Sequence, residues 1–375
     1  MRSSELRRII MLLGLFMMPL HPPHRPIAEC YDRDLDQLVI ADRLGFSEAW
    51  LGEHFTEKWE NAPAPDLLIA KALALTERIK LGTGVTLLGM HEPAYLAHRL
   101  AMLDHLAHGR FQWGIGMGGI PTDMKLMGLD PKTARERAVE ALDVILRIWA
   151  HGEGPFIHQG RHFRIEAPEL DPVTERGLYM KPLQTPHPPI AIAASTPKSS
   201  SLRIAGERGW SPMSSALLSR TLLPAHWDTV IDGAQVVGKT ANRNDWRIAR
   251  DVFVGTTSVV AKERARAVLG RNFETHQLAS RIGTWQMQAA KHDPAMPDDE
   301  VTVEYMMENV WIVGDPLECE DKIRSLYENV GGFGALLSVT ADSDDPAWDH
   351  ESLRLLAEKV GPRIEDLGGD FKQNQ

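Results

Sequence analysis

The sequence predicts an α/β fold, a (β/α)8 TIM barrel with insertions. Three observations lead there. Short apolar runs alternate with amphipathic helical stretches along the chain. Eight of those runs have strand character and each is followed by a helix, the pattern of parallel pairing through right-handed crossovers. Eight such units spread over 375 residues favour a closed barrel over an open doubly wound sheet.

The units follow in order. Met11–Met17 is the first buried strand, and Asp32–Leu44 is a helix stopped by Gly45. Glu48–Gly52 is the second strand, with a helix over Asp66–Leu75. Ile79–Leu88 is the third, glycine-rich at its centre, and Ala94–Leu106 is the helix behind Pro93. Arg110–Met117 is the fourth strand, followed by a long helix over Thr133–Ala150. A hairpin then interrupts the rhythm: Phe156–His158 and His162–Ile165 flank Gln159-Gly160-Arg161. Ile190–Ala194 is the fifth strand with a helix over Ser199–Glu207, and Trp210–Ser214 is the sixth with a helix over Arg220–Val237. Trp246–Gly255 is the seventh strand, with a helix over Val260–Phe273. The helix Pro316–Asn329, the strand Ala335–Thr340 and the helix Ser352–Lys359 complete the set. One barrel domain is expected over 11–362, with insertions near 151–188 and 274–312. Residues 1–10 read as an extension and 363–375 as a tail.

Composition removes several function classes. Hydrophobic residues make up 43% and charged residues 25%, so the chain is an ordinary globule able to build its own core. Acidic residues outnumber basic ones, 51 to 41, and the net charge is -10. Without a basic stripe, nucleic-acid binding is not expected. Cys30 and Cys319 are too few for a disulfide framework or a cysteine zinc site, which makes a reducing cytoplasm the default. Arg7-Arg8 before the run Ile9–Leu20 imitates a leader, but no small-residue cleavage site follows and the run is too short to span a bilayer. No membrane association and no metal are expected.

Barrel enzymes place their chemistry where strands end, so the residues closing each strand are candidates. Glu53-His54-Phe55 closes the second strand. There a histidine serves either as an acid or base near neutral pH or as a structural hydrogen-bonding group. The loop behind it carries Trp59 and Asn61, which either wall a pocket or merely shape the loop. Gly82-Thr83-Gly84-Val85 marks either a close approach by a ligand or a bulge. Gly114, Gly116 and Gly119 match G-x-G-x-x-G literally, but no helix opens at once and the motif lies mid-chain, so a dinucleotide fold is rejected. Ser195-Thr196-Pro197-Lys198-Ser199-Ser200-Ser201 opens a helix; it either caps that helix or binds a phosphate dianion. His91-Glu92-Pro93 lacks the second histidine of a zinc protease, and neither G-x-S-x-G nor a P-loop occurs.

Several stretches then coincide. Gly14-Leu15-Phe16-Met17-Met18-Pro19, Ala49-Trp50-Leu51-Gly52-Glu53-His54 and Leu81-Gly82-Thr83-Gly84-Val85 recur in the same order as in one family. So do His91-Glu92-Pro93, Leu103-Asp104-His105-Leu106-Ala107-His108-Gly109-Arg110-Phe111 and Ala205-Gly206-Glu207-Arg208-Gly209. Over about 11–360 the chain resembles the bacterial luciferase-like flavin-dependent monooxygenases, in particular the limonene and diketocamphane monooxygenase types.

The resemblance implies reduced FMN bound at the strand ends and supplied by a separate flavin reductase that uses NAD(P)H. It implies His54 as the catalytic group beside the ring and a cis peptide at Gly84-Val85. It also implies cofactor contacts from Glu53, Met117, Ser195, Lys198, Ser199, Ser200 and Ser201. Met117 stands where luciferase has a phosphate-binding arginine, leaving Lys198 or Arg203 to supply the charge, and Phe55 replaces a second histidine found in many members. O2 then adds to the flavin, and the hydroperoxide must be shielded from water by an apolar pocket, expected from Phe16, Met18, Trp59, Trp113 and Trp210 with Asn61 beside them. Its protonation divides Baeyer–Villiger oxygenation from epoxidation or hydroxylation. A small apolar substrate is expected: a terpenoid, cyclic ketone or alkyl compound. A homodimer is the simplest assembly. The rival readings are a deazaflavin-dependent dehydrogenase of the same fold and a non-enzymatic flavin-binding barrel.

Overall fold

The computed structural model describes residues 10–118, 120–278 and 284–368. Its strands in chain order are β1 (Leu12–Met17), β2 (Glu48–Leu51), β3 (Lys80–Thr83), β4 (Thr86–Leu87) and β5 (Phe111–Gly116). A separate antiparallel hairpin follows, β6 (Phe156–Gln159) with β7 (Arg164–Ala167). Then come β8 (Ile190–Ala194), β9 (Ser211–Ser214), β10 (Arg247–Val254), β11 (Ile312–Gly314) and β12 (Ala335–Val339). β1 lies between β12 and β2, the order continues through β3, β5, β8 and β9, and β9 pairs with β10 to close a parallel eight-stranded barrel.

Strand parity sorts the side chains into two layers. Leu15, Met17, Ala49, Leu51, Leu81, Phe111, Trp113, Ile115, Ile192 and Ile248 face outward and pack under the helices. Leu12, Phe16, Trp50, Ala191, Ala193, Met213, Ala249, Ala335 and Leu337 face inward. Trp50 dominates this interior, and glycine makes the room it needs. A Cβ on Gly82 would sit 2.6 Å from Trp50 Cε3, and one on Gly114 would sit 3.3 Å from the same atom. The bulky neighbour on β2 thus explains Gly82, whereas Gly114 is required chiefly by the Thr83 carbonyl, 2.0 Å from where its Cβ would stand.

The helices after the strands follow the sequence closely. They are α1 (Ile27–Leu44), α2 (Pro65–Leu73), α3 (Pro93–Leu106), α4 (Pro121–Leu126), α5 (Ala134–Ala150), α6 (Ser200–Arg208), α7 (Leu223–Val236) and α8 (Ser258–Ala265). Gly45 ends α1 in the left-handed region, φ 85°, and its N–H bonds back to Ala41 and Asp42. α1 starts earlier than the periodicity predicts: its first turn exposes Ile27 and buries only Cys30. The helix expected at Ser352 starts at Pro346, where Asp345 caps it by accepting the N–H of Ala347.

Three further differences stand out. The predicted third strand breaks between Thr83 and Thr86, and the Gly84–Val85 peptide is cis. The region 274–312 is more ordered than a plain insertion. It begins inside a helical stretch that continues α8 through π turns at Arg266–Gly270 and Phe273–Gln277, and it carries helices at Trp285–Ala290 and Val303–Asn309. Just beyond it β11 pairs with β10, and Phe253, Phe273, Met287, Met306 and Trp311 form a second apolar cluster there. Residues 363–368 are not yet tail, since Ile364 is buried in the short helix Gly361–Ile364. Residues 1–9 and 369–375, Gly119 and 279–283 fall outside the described residues. Cys30 and Cys319 are buried free thiols. Among the described residues no helix is long and apolar enough to cross a membrane.

Candidate active site

The barrel is sealed at one end and open at the other. Near the starts of the strands Glu48 pairs with Arg247 at 3.1 Å and accepts the indole N–H of Trp50 at 2.9 Å. Beyond Trp50, at the strand ends, a cavity of about 720 Å³ opens, a volume that suits a drug-sized ligand. Phe16, Met18, Leu20, Leu87, Leu217 and Val339 give it apolar walls.

His54 lies on this cavity because it is the third residue after β2 and its loop folds back on itself. The His54 N–H donates to the Ala62 carbonyl at 3.2 Å. Thr56 ties the same loop to Asp123 of α4, its backbone N–H donating at 2.7 Å. His54 Nε2 is 3.1 Å from Glu60 Oε2, while the other oxygen of Glu60 bonds His276 Nε2 at 3.2 Å. The Trp59 ring stacks on His276, centroids 5.5 Å apart. One carboxylate thus joins the β2 loop to the 274–312 region. A nitrogen bearing a lone pair would be repelled by a carboxylate at that distance, so Nε2 carries the proton. His54 Nδ1 is a buried polar atom without a hydrogen-bond partner.

The adjoining wall is the turn after β3. Glu53 faces the cavity, but its carboxylate holds that turn: Oε2 accepts the Leu87 N–H at 2.6 Å and Oε1 bonds His91 Nε2 at 2.7 Å. Gly84 and Val85 line the cavity in front of it, and Met117 lines it at the end of β5. Gly118 has nothing within 4 Å of where a Cβ would stand, so bare backbone meets open space there.

The third wall is the start of α6. Ser195, Thr196, Ser199 and Ser201 line the cavity. Ser199 Oγ also accepts the Ser201 N–H at 3.3 Å, so the capping role and the cavity-lining role fall on one residue. Behind this wall runs a directed chain of hydrogen bonds. Trp246 Nε1–H donates to Ser214 Oγ at 2.9 Å, Ser214 donates to His226 Nδ1 at 2.8 Å, and His226 Nε2–H donates to the Thr196 carbonyl at 2.8 Å. Burial pushes the His226 imidazole down to about 4, so it stays neutral in this chain. Arg250, wholly buried, donates to the carbonyls of Ala249 and Leu218 at 2.8 and 2.9 Å and fixes the loop that brings Ala216 and Leu217 to the cavity; burial lowers its guanidinium to about 10.

Seven expected residues lie off the cavity. Trp113 has the wrong strand parity: it faces the helices, packs edge-on to Trp149 at 5.0 Å and donates to Thr86 Oγ1 at 3.2 Å. Trp210 precedes β9, at the closed end of the barrel, and packs against His187. Trp59 is turned to His276. Asn61 bonds His21 Nδ1 and accepts the Tyr31 hydroxyl at 2.7 Å, inside the β1–α1 loop network. Lys198 and Ser200 are exposed and do not line it. Arg203 pairs with Glu207 at 3.3 Å along α6. Conversely Glu60, Lys132, Arg135, Asp251 and Gln277 line the cavity without having been singled out. For Asp251 a signal existed, since it shares strand parity with Ala249 on β10. Among the described residues no group of three or more His, Cys, Asp or Glu is placed to hold a metal.

Known proteins share this architecture. The family model for luciferase-like monooxygenases matches residues 11–332. The chain is 31% identical to 2,5-diketocamphane 1,2-monooxygenase 1 of Pseudomonas putida, covering 94% of this chain and 99% of that one. It is 31% identical to limonene 1,2-monooxygenase of Rhodococcus erythropolis, covering 95% and 87%. Among solved structures it matches the oxygenating constituent of 3,6-diketocamphane monooxygenase from the CAM plasmid of Pseudomonas putida. That protein is a type II Baeyer–Villiger monooxygenase in complex with FMN; the match has TM-score 0.87 and 30% identity and covers 95% and 99% of the two chains. Fold, strand-end cavity and sequence agree: the chain belongs to the luciferase-like monooxygenases.

Proposed function

We propose that the chain is the oxygenating half of a two-component system that uses reduced FMN and O2 to oxygenate a terpenoid, cyclic ketone or similar apolar molecule. The observation that carries this reading is the division of one strand-end cavity into an apolar part, an imidazole edge at His54 and a hydroxyl-rich helix start at Ser199. The residues fit a flat phosphorylated ring. Open space at Gly118 and the unpartnered His54 Nδ1 leave room and a polar contact near its edge, and Ser195, Ser199 and Ser201 suit its phosphate. That a related structure is called an oxygenating constituent supports a separate second component, here a flavin reductase. The camphane and limonene names of the relatives support a terpenoid-sized substrate.

Bound reduced FMN would supply the two electrons with which O2 gives one oxygen atom to the product and one to water. Phe16, Met18, Leu87 and Val339 exclude bulk water from the reacting face. Glu53 holds the Leu87 backbone and so keeps the Gly84–Val85 edge in place. His54 keeps a proton at Nε2, beside Glu60, which leaves the lone pair of Nδ1 to accept a hydrogen bond or a proton at the ring's edge. We also propose a homodimer, supported by an exposed apolar stripe on α3.

The test uses photoreduced FMN, O2 and a panel of cyclic ketones and terpenes. Oxygenated product from at least one of them is expected. Hydrogen peroxide as the sole outcome across the panel rejects the reading. Hydride transfer to a deazaflavin with no use of oxygen would replace it with the dehydrogenase reading.

A further inference from the structure

We propose that His276 is a positioning residue for His54: by sharing the Glu60 carboxylate it keeps His54 Nδ1 free of a proton. The inference rests on the role given to His54 above.

The three groups come from distant parts of the chain. His54 and Glu60 stand on the loop after β2, and His276 stands in the π turn Phe273–Gln277 that continues α8. Glu60 Oε2 is 3.1 Å from His54 Nε2, and Oε1 is 3.2 Å from His276 Nε2. The three side chains are only 13% to 17% exposed, so salt and water screen their interaction little. One residue on from His276, Gln277 lines the cavity, so a single turn meets both the carboxylate and the pocket.

The main chain around Glu60 is held from the opposite side. The Trp59 carbonyl accepts the His21 N–H, and the Asn61 carbonyl accepts the Tyr31 hydroxyl. With its backbone pinned by the β1–α1 loop, Glu60 is left to be aimed by the groups its carboxylate meets. The neighbouring carboxylates have other tasks. Glu53 holds the Leu87 N–H and His91, and Asp123 holds the Thr56 N–H. Glu60 is therefore the carboxylate that governs the state of His54.

Charge gives the sharing its purpose. A carboxylate this close to an imidazole favours the imidazolium form. An imidazolium carries a proton on both nitrogens, and Nδ1 then has no lone pair to offer. A donor on the other carboxylate oxygen stabilises the anion and weakens its pull on His54. His276 supplies that donor, since a lone pair at its Nε2 would face the carboxylate. The same contact keeps Oε2 turned toward His54, which favours the proton at Nε2 over Nδ1. His54 Nδ1 is buried and makes no hydrogen bond of its own, so its state is set from the Nε2 side of the ring.

The experiment separates the N–H of His276 from its ring. His276→Phe keeps a ring to stack on Trp59 and removes the donor. His276→Gln keeps an amide donor and removes the ring. The full chain, labelled with 15N at its histidine side chains, is studied without flavin by magic-angle-spinning NMR near neutral pH. Subtracting the His54→Asn spectrum identifies the His54 signals. In the native chain His54 is expected to be protonated at Nε2 and bare at Nδ1. His276→Phe is expected to gain a proton at Nδ1 and to lose roughly tenfold in product formed per reduced FMN oxidised, with reduced-FMN affinity kept. His276→Gln should restore both readouts. In a Glu60→Gln background His276→Phe should add nothing, because the connection is already cut.

The reverse ranking, with His276→Phe native-like and His276→Gln impaired, makes His276 a packing residue and overturns the proposal. So do two variants that both match the native chain, a native His54 protonated at Nδ1, or an undiminished effect in the Glu60→Gln background. The NMR readout needs neither flavin nor substrate. The expected spectra, together with a native chain that oxygenates nothing in the panel, would remove the oxygenase reading and leave the link between the two histidines standing.

Discussion

A histidine performs proton transfer when one nitrogen is held in a known state and the ring stands beside the reacting group. His54 meets the first condition through Glu60, 3.1 Å from Nε2, and the second by lining the cavity. His54→Ala is expected to lower product formed per flavin oxidised by on the order of 10²-fold or more, with reduced-FMN affinity nearly kept; unchanged product yield would remove His54 from catalysis. His226 is the opposite case, a histidine used for structure. Its pKa falls from 6.5 in the unfolded chain to about 4 in the fold. The unfolded state therefore binds a proton first as pH drops, and the stability this group contributes is present above 6.5 and lost as pH falls through about 4. Urea unfolding of the native chain and His226→Phe should show a stability difference that shrinks by about 3 kcal/mol across that interval. A pH-independent difference would show that His226 does not titrate in this way.

At the scale of elements, α6 and α7 pack backbone to backbone. A Cβ on Gly206 would lie 2.0 Å from the Val230 carbonyl, and one on Gly233 would lie 2.1 Å from that of Arg203. Gly206→Ala must therefore push α6 away, at roughly 1–3 kcal/mol for overpacking. Because α6 carries Ser199 and Ser201 to the cavity, FMN affinity should fall together with the urea midpoint. A stability loss with unchanged FMN binding would separate α6 from the phosphate. The same helix shows how motif reading fails in detail: seven consecutive residues, Ser195 to Ser201, were equivalent in the sequence. Helical geometry turns Ser199 and Ser201 to the cavity and leaves Lys198 and Ser200 in solvent. A strand does the same by parity, and a shift of one residue from Gly114 to Trp113 exchanges the barrel interior for the helix layer.

For the whole molecule the question is what covers its apolar surface. On α3, Tyr95, Met102 and Leu106 recur on one helix face and are 67%, 56% and 53% exposed. Leu67 and Leu75, on and just after α2, add to the apolar surface there. A proposed dimer buries this stripe, so Met102→Glu should shift the native chain from dimer to monomer in size-exclusion chromatography with light scattering. A native chain that runs as a monomer at micromolar concentration would dismiss the proposed assembly.

The residues alone determined the order of strands and helices, because burial on both faces of a parallel strand and one face of a helix leaves a period in the sequence that needs no partner to be read. The residues alone left His54, the Gly84-Val85 stretch and the serine-rich helix start open between structural and functional roles, and only the family resemblance chose the functional ones. Tertiary structure alone decided which side of each element met the cavity, and so moved Trp113, Trp210, Trp59 and Asn61 away from it while bringing in Glu60, Arg135 and Gln277. The physical reason is that a wall is assembled across segments far apart in sequence: Glu60 touches His276 at a separation of 216 residues, and no local pattern encodes such a contact.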